Sequence, residues 1–170
     1  MRTLVVCFFA AEDGTPIEGS ASLLAGRWRT TVDAKQKPIH GGPEVRFEIG
    51  DATVVNEVLV TAPRRFQRFV PWPKSDVLDV KLEKAGELII AANHDAVRFV
   101  QVHATGGQEV PDFLRSLGKD FHIVRCGQAI NCPRLLPGPY RIDVFDEAKQ
   151  PIAQLDTDLP AWRTMFVEVP

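Results

Sequence analysis

The stretch "APRRFQRFVPWPK", Ala62–Lys74, interleaves cationic and aromatic side chains. Arginine and aromatic residues are enriched among the residues that dominate binding energy at protein interfaces, because they combine a large contact area with directed hydrogen bonds or stacking. This composition predicts a surface that binds a protein partner. The side chains concerned are Arg64, Arg65, Phe66, Arg68, Phe69, Trp72 and Lys74.

The same stretch has a second, structural interpretation. Phe66 and Phe69 would anchor a strand in the core, and the arginines beside them would simply face water. Pro71 and Pro73 favour the binding interpretation, because they stiffen the segment and lower the entropy cost of ordering it on a partner.

A shorter stretch, "GRWRTT" at Gly26–Thr31, raises the same alternatives. Trp28 lies between two arginines and either faces outward, as a binding residue, or inward, as part of the core. The residues predicted to contact a partner are Arg64, Arg65, Arg68, Trp72 and Trp28.

Residue types with catalytic potential are scattered along the chain. The four histidines, His40, His94, His103 and His122, fall on separate predicted turns and strands. A serine nucleophile needs a base held beside it, and the sequence has no Gly-x-Ser-x-Gly elbow. We therefore predict no catalytic residues and no cofactor, and we assign the carboxylates to solvated faces.

The three cysteines, Cys7, Cys126 and Cys132, are too few for a disulfide framework, and they lack the Cys-x-x-Cys spacing of a zinc site. No metal site is predicted. Cys126 and Cys132 would pair across a short loop in an oxidising compartment, or remain thiols; the sequence favours thiols.

Composition sets the remaining bounds. The chain has 170 residues, a net charge of −2 and 45% hydrophobic residues, so it has no basic excess for nucleic acid. No apolar run reaches the roughly 20 residues of a membrane-spanning helix. The start, "MRTLVVCFFAA", predicts a first strand rather than a signal peptide. We expect a cytoplasmic protein if Met1 is the native start, and an extracytoplasmic one if residues were removed upstream.

Apolar and polar residues alternate with a period of two in most segments, which predicts strands with one buried face. The segment "LEKAGELII" breaks the pattern and predicts a boundary between domains 1–84 and 86–170. Only Pro111–Gly118 has the proline and glycine placement of a short helix. The segments Glu12–Ser20 and Asp146–Gln154 both predict hairpins that return through Pro-Ile.

These segments resemble a carboxypeptidase-regulatory-like, or prealbumin-like (Cna-B-type), β-sandwich. "LVVCFFAAEDGTPIEGSASLLAG", "TTVDAKQ", "EVLVTAPRRF" and "VLDVKLE" match its strand and turn pattern, and "LLPGPYRIDV" matches a recurrent strand entry in the second half. The resemblance implies an all-β chain of two tandem Ig-like or prealbumin-like antiparallel sandwiches. The glycine that usually follows the Thr-x-Asp turn is missing near Asp33.

Enzymes and self-linking domains with this sandwich use residues that this chain lacks. Intradiol dioxygenases bind iron with two tyrosines, whereas Tyr140 is the only tyrosine here. The hydroxyisourate hydrolases end in Tyr-Arg-Gly-Ser, whereas this chain ends in "FVEVP". The lysine that Cna-B domains often link to asparagine is absent from the candidate first strands, Leu4–Ala10 and Glu87–Asn93.

In "RLLPGPYRIDV", proline fixes φ, glycine permits a sharp bend, and the tyrosine hydroxyl can bond to backbone. We therefore predict that Pro137, Gly138 and Tyr140 are structural.

Three functions remain open at this point. The first is a non-catalytic protein–protein interaction module. The second is a structural subunit of a larger assembly, and the third is an unrecognised enzyme or carbohydrate-binding domain. Long, proline-poor edge strands would favour the subunit, and a deep pocket with convergent polar groups would favour the enzyme.

Overall fold

The structure is a computed structural model that describes residues 1–27, 29–32, 35–38, 43–110 and 122–169. Every regular element in these residues is a β-strand, so the prediction of an all-β chain is confirmed. The helix predicted at Pro111–Gly118 and the turn at Asp33 lie outside the described residues. Within those residues, no helix is long and apolar enough to cross a membrane.

The chain divides into two compact units, Met1–Glu83 (unit 1) and Lys84–Pro170 (unit 2). The strands of unit 1 are β1 Arg2–Ala10, β2 Ser20–Ala25, β3 Thr30–Thr31, β4 Lys35–Pro38, β5 Glu44–Ile49, β6 Glu57–Thr61, β7 Arg68–Pro71 and β8 Val77–Leu82. The strands of unit 2 are β9 Gly86–Ala92, β10 Phe99–Ala104, β11 His122–Ile123, β12 Ala129–Leu135, β13 Gly138–Phe145, β14 Pro151–Leu159 and β15 Thr164–Val169.

Unit 1 is a sandwich of two four-stranded sheets, in the orders β4-β5-β1-β8 and β3-β2-β6-β7. Alternating residues of both sheets form one core, as the period of two predicts. In β1, Leu4, Val6 and Phe8 are buried, whereas Val5 and Cys7 on the other face are half-buried.

Unit 2 is a sandwich of the sheets β11-β10-β13-β14 and β12-β9-β15. Leu88 and Ile90 of β9 share a core with Val100 of β10 and with Ile142 and Val144 of β13. Each unit therefore buries its own apolar face between its own two sheets.

One strand pair in each unit is parallel, which the expectation of antiparallel sandwiches did not include. The first strand of unit 1, β1, pairs in parallel with the last strand, β8, and β9 pairs in parallel with β15. The other pairings among the described strands are antiparallel. Parallel neighbours need a long connection, and here the rest of the unit provides it.

Of the two predicted hairpins, the second is confirmed and the first forms only in part: Ala10 N–H donates to the Thr15 carbonyl oxygen and Ile17 N–H to that of Phe8. The strands β13 and β14 pair directly around the turn Asp146–Gln150. After Glu12, by contrast, the chain makes only one bridge, Phe9↔Pro16, and β2 then pairs with β6 in the opposite sheet. Gly19 permits this crossing, because a Cβ there would lie 2.6 Å from the ring of Phe8.

The turn before β13 has the structural role that its sequence predicts. Gly138 has a φ of 139°, a conformation that L side chains rarely adopt. Tyr140 is fully buried, and its hydroxyl donates a 2.8 Å hydrogen bond to the carbonyl oxygen of Leu136. The tyrosine thus fastens the entry of β13 to the end of the preceding segment.

We expect Gly138→Ala to lower the free energy of unfolding by about 1–3 kcal/mol, because alanine is strained at a positive φ. Its Cβ would also lie 3.1 Å from Gln108 Nε2. Tyr140→Phe should cost about 1 kcal/mol through the lost hydrogen bond. Chemical denaturation measures both. Gly50→Ala is the control, because Gly50 has no positive φ and only ordinary contacts; equal effects at positions 50 and 138 would contradict the role of the turn.

We propose that the two units fold independently, because each has its own core and its own closing pair of strands. Fragments 1–83 and 84–170, expressed separately, should each unfold in one cooperative transition. A fragment that lacks native-like circular dichroism would refute independent folding of that unit.

Candidate functional site

Arg65, one of the predicted partner-binding residues, is buried inside unit 1, with 6% of its surface exposed. Its guanidinium donates two hydrogen bonds to the Glu12 carboxylate, from Nη1 to Oε2 at 2.6 Å and from Nη2 to Oε1 at 2.9 Å. Nη1 also donates to the carbonyl oxygen of Leu82 at 3.1 Å. Arg65 therefore links the turn after β1, the loop before β7 and the end of β8. This bidentate geometry is the strong form of an arginine–carboxylate pair.

Phe66 and Arg68 also make contacts within unit 1. Phe66 is buried, and its amide donates to the carbonyl oxygen of Glu83 at 3.0 Å. Arg68 Nε donates to Glu83 Oε2 at 3.2 Å, and its guanidinium lies 5.7 Å from the centre of the Phe66 ring. For Phe66, the structural interpretation of the stretch is confirmed.

Trp72 is half-buried and packs on the core of unit 1. The guanidinium of Arg2 lies 4.9 Å from the centre of its ring and bonds to Asp76 and to the carbonyl oxygens of Pro73 and Ser75. This stacked cation fixes the segment after β7 on the sandwich.

Phe69, on β7, has the guanidinium of Arg29 at 3.9 Å from its ring centre, and Arg29 Nε bonds to Glu57 at 2.8 Å. Arg29 and Glu57 also line an open cavity of about 580 Å³ at the end of β2.

Arg64 and Lys74 are exposed, and Trp28 lies outside the described residues. Of the predicted partner-binding residues that the structure describes, only Arg64 is exposed. These residues therefore do not form one exposed surface. Partner binding by Arg64, Arg65, Arg68, Trp72 and Trp28 stays a prediction. Arg65 forms an ion pair with Glu12, and Arg68 forms one with Glu83. The sequence alone does not reveal these pairs.

A polar group on the outer face of unit 2 is the arrangement closest to catalytic chemistry in the described residues. Asp143 lies between His103, at 3.2 Å from Nε2 to Oδ2, and Arg141, at 3.4 Å from Nε to Oδ1. His103 lies on β10 directly opposite Arg141 on the neighbouring strand β13, which also carries Asp143. All three side chains are partly open to solvent. The described residues contain no cluster of three metal-binding side chains.

A separate open cavity of about 430 Å³ lies in unit 2. Four charged side chains and an apolar floor line it, and no ion pair joins these charges to one another within the described residues. The lining residues are Asp95, Arg98, Phe99, Ile123, Arg125, Cys126 and Glu147.

The three cysteines are free thiols in the structure. Cys126 is exposed at the cavity, whereas Cys132 is fully buried in the core of unit 2. Burial raises the pKa of the Cys132 thiol to about 12, so this group stays protonated and unreactive at neutral pH. These positions support the predicted thiols rather than a disulfide.

Two long strands of unit 2 end their sheets with an open side. β14 has nine residues and β15 has six, and no described strand pairs with the outer side of either one. On β15, Phe166 is 71% exposed. The sequence pattern "TMFVEV" already implies this placement, because Met165 and Val167 face the core and the residue between them must face out; Phe166 was nevertheless not among the predicted site residues.

No family model and no curated protein matches the chain. Among solved structures, it is similar to the minor pilin GBS52 of Streptococcus agalactiae (TM-score 0.37, 14% identity, covering 99% of this chain and 94% of that chain). It is also similar to the shaft pilin SpaA of Lactobacillus rhamnosus GG (TM-score 0.29, 10% identity, 98% and 96% covered). At these scores the likenesses support no conclusion about the function of this chain, and its resemblance to carboxypeptidase-regulatory-like domains stays a prediction.

We expect Arg65→Ala to lower the free energy of unfolding by about 1–3 kcal/mol, because it removes two partly buried, charge-assisted hydrogen bonds. The effect is smaller than for a fully buried pair, since the Glu12 side chain is 33% exposed and regains water. The matched control is Arg64→Ala, in the same loop at an exposed position, which should leave stability unchanged. Urea denaturation compares the two variants, and equal effects would refute the structural role of Arg65.

Proposed function

We propose that this chain is a non-catalytic structural subunit of a larger protein assembly, which it joins through open strand edges of unit 2. The observation that carries the proposal is the pair of long edge strands, β14 and β15, with an open outer side in the described structure. An open edge presents unpaired backbone N–H and C=O groups, which form a template for pairing with another chain.

The sequence of β14 supports this use. Its one proline, Pro151, is the first residue of the strand, so no later residue lacks a backbone N–H, and the N–H groups that point away from β13 are open to another chain. The inner face, including Ala153 and Leu155, packs on the core of unit 2 and holds the strand rigid. A strand that is already ordered loses little further conformational entropy on binding.

The geometry gives less support to an enzyme. His103, Arg141 and Asp143 lie on the outer face of a sheet, not in a cavity that could exclude water from a reaction. The cavity of unit 2 instead favours a second candidate function, the binding of a small polar ligand. Arg98 and Arg125 would contact carboxylates and Asp95 and Glu147 would contact amines, at an apolar floor formed by Phe99.

The subunit proposal is tested in the native host. The wild-type chain should sediment from an extract as part of an assembly with fixed stoichiometry, and Gln154→Lys should release it. Gln154 is exposed on β14, where a lysine charge obstructs the approach of another strand. Quantitative native mass spectrometry of the tagged chain measures the assembled fraction.

The control is Gln128→Lys, the same substitution at an exposed residue outside any strand. It should leave the assembly intact. A wild-type chain that sediments as a lone monomer in the host would overturn the subunit proposal. Equal release by both lysine variants would show that net charge, not the edge of β14, controls the assembly.

A further inference from the structure

We infer that β15 is a self-pairing edge, which a second copy of this chain covers by antiparallel strand addition. The inference rests on the proposed function, because it names the partner for one of the two open edges. Three features of β15 lead to it: unusually little protection against pairing, a large exposed aromatic residue, and complementary charge at its two ends.

Long edge strands usually carry charges, prolines or bulges that obstruct pairing with another chain. The other described edges with six or more residues have them. β8 presents Asp79 and Lys81 to solvent, and β12 contains Pro133 and a register shift. β14 presents Asp156 and Asp158, which disfavour an acidic partner strand but leave this edge open to a basic one. In β15, by contrast, the only charged residue is Glu168.

The exposed face of β15 is centred on an aromatic ring. Phe166 lies in register with Ile89 of β9, which faces the same side of the sheet and is half-buried. Thr164 and Glu168 flank Phe166 on this face, and Thr164 Oγ1 donates a 2.9 Å hydrogen bond to Glu87. Leaving so large an apolar side chain in water is unfavourable, and covering it would stabilise a complex.

An antiparallel partner strand related by a two-fold axis through Phe166 is complementary residue by residue. Phe166 faces Phe166 of the second copy, which gives an aromatic cross-strand pair. Thr164 faces Glu168, and Met165 faces Val167, so no like charges lie opposite each other. The two-fold operation makes every contact occur twice, as in the usual closed dimer.

The charges at the ends of β15 favour this orientation. Two cationic residues lie at the beginning of the strand: Lys84, 4.3 Å from the centre of the Trp162 ring, and the exposed Arg163. The Glu87 carboxylate lies in register with Thr164 at the same end. Glu168 lies near the end of the strand and has no ion pair within the described residues. Antiparallel pairing brings the negative end of each copy to the positive end of the other, whereas parallel pairing aligns like ends.

The inference predicts a dimer of the purified full chain, detected by sedimentation equilibrium over a range of concentrations. Phe166→Glu should raise the dimer dissociation constant at least about tenfold, because it removes the aromatic pair and places two carboxylates together. The matched control is Ile123→Glu, since Ile123 is also a large exposed residue of unit 2, at 64%. That control should leave the dissociation constant unchanged.

A charge exchange tests the orientation. Glu168→Arg should weaken the dimer, because both ends of the strand are then positive, and Arg163→Glu combined with Glu168→Arg should restore it. A purified chain that is monomeric at every concentration overturns the inference, as does a dimer that Phe166→Glu leaves intact. Neither result affects the subunit proposal, which the host assembly and Gln154→Lys test separately.

Discussion

Each unit depends on the parallel pairing of its first strand with its last. In unit 1, β8 returns to β1, and in unit 2, β15 returns to β9. Parallel neighbours need a long connection, and here the connection between the paired strands is the remainder of the sandwich itself. The closing strand has a neighbour on one side only, and closure therefore creates an edge in both units.

The two units treat that edge differently. β8 turns Asp79 and Lys81 to solvent, which discourages another strand, whereas β15 turns Phe166 to solvent. The same topological requirement thus gives a charged edge in one unit and an aromatic edge in the other. The difference lies in a few outward-facing side chains, because the inward-facing residues of both strands serve the core.

The arginine- and aromatic-rich segment shows how interface chemistry can serve a fold. Arg65 and Arg68 bind carboxylates of unit 1 itself, and Arg2 stacks on Trp72. Directed hydrogen bonds and stacking are useful wherever a surface must be held in one arrangement, whether or not it belongs to the same chain. A small sandwich buries a limited apolar core, so such contacts at its rim hold loops that the core does not reach.

The sequence by itself determined most of the strands and the turn at Gly138 and Tyr140, because alternation, proline and glycine act over a few residues. It also determined, through the alternation of β15, that Phe166 faces outward. Only the tertiary structure decided that β1 and β2 lie in different sheets, that the first and last strands of each unit are parallel, and that Arg65 is buried. These outcomes depend on residues far apart in the chain, such as Arg65 and Glu12, which are 53 positions apart. No local pattern encodes which distant carboxylate a guanidinium will meet, since that is fixed only when the sheets pack.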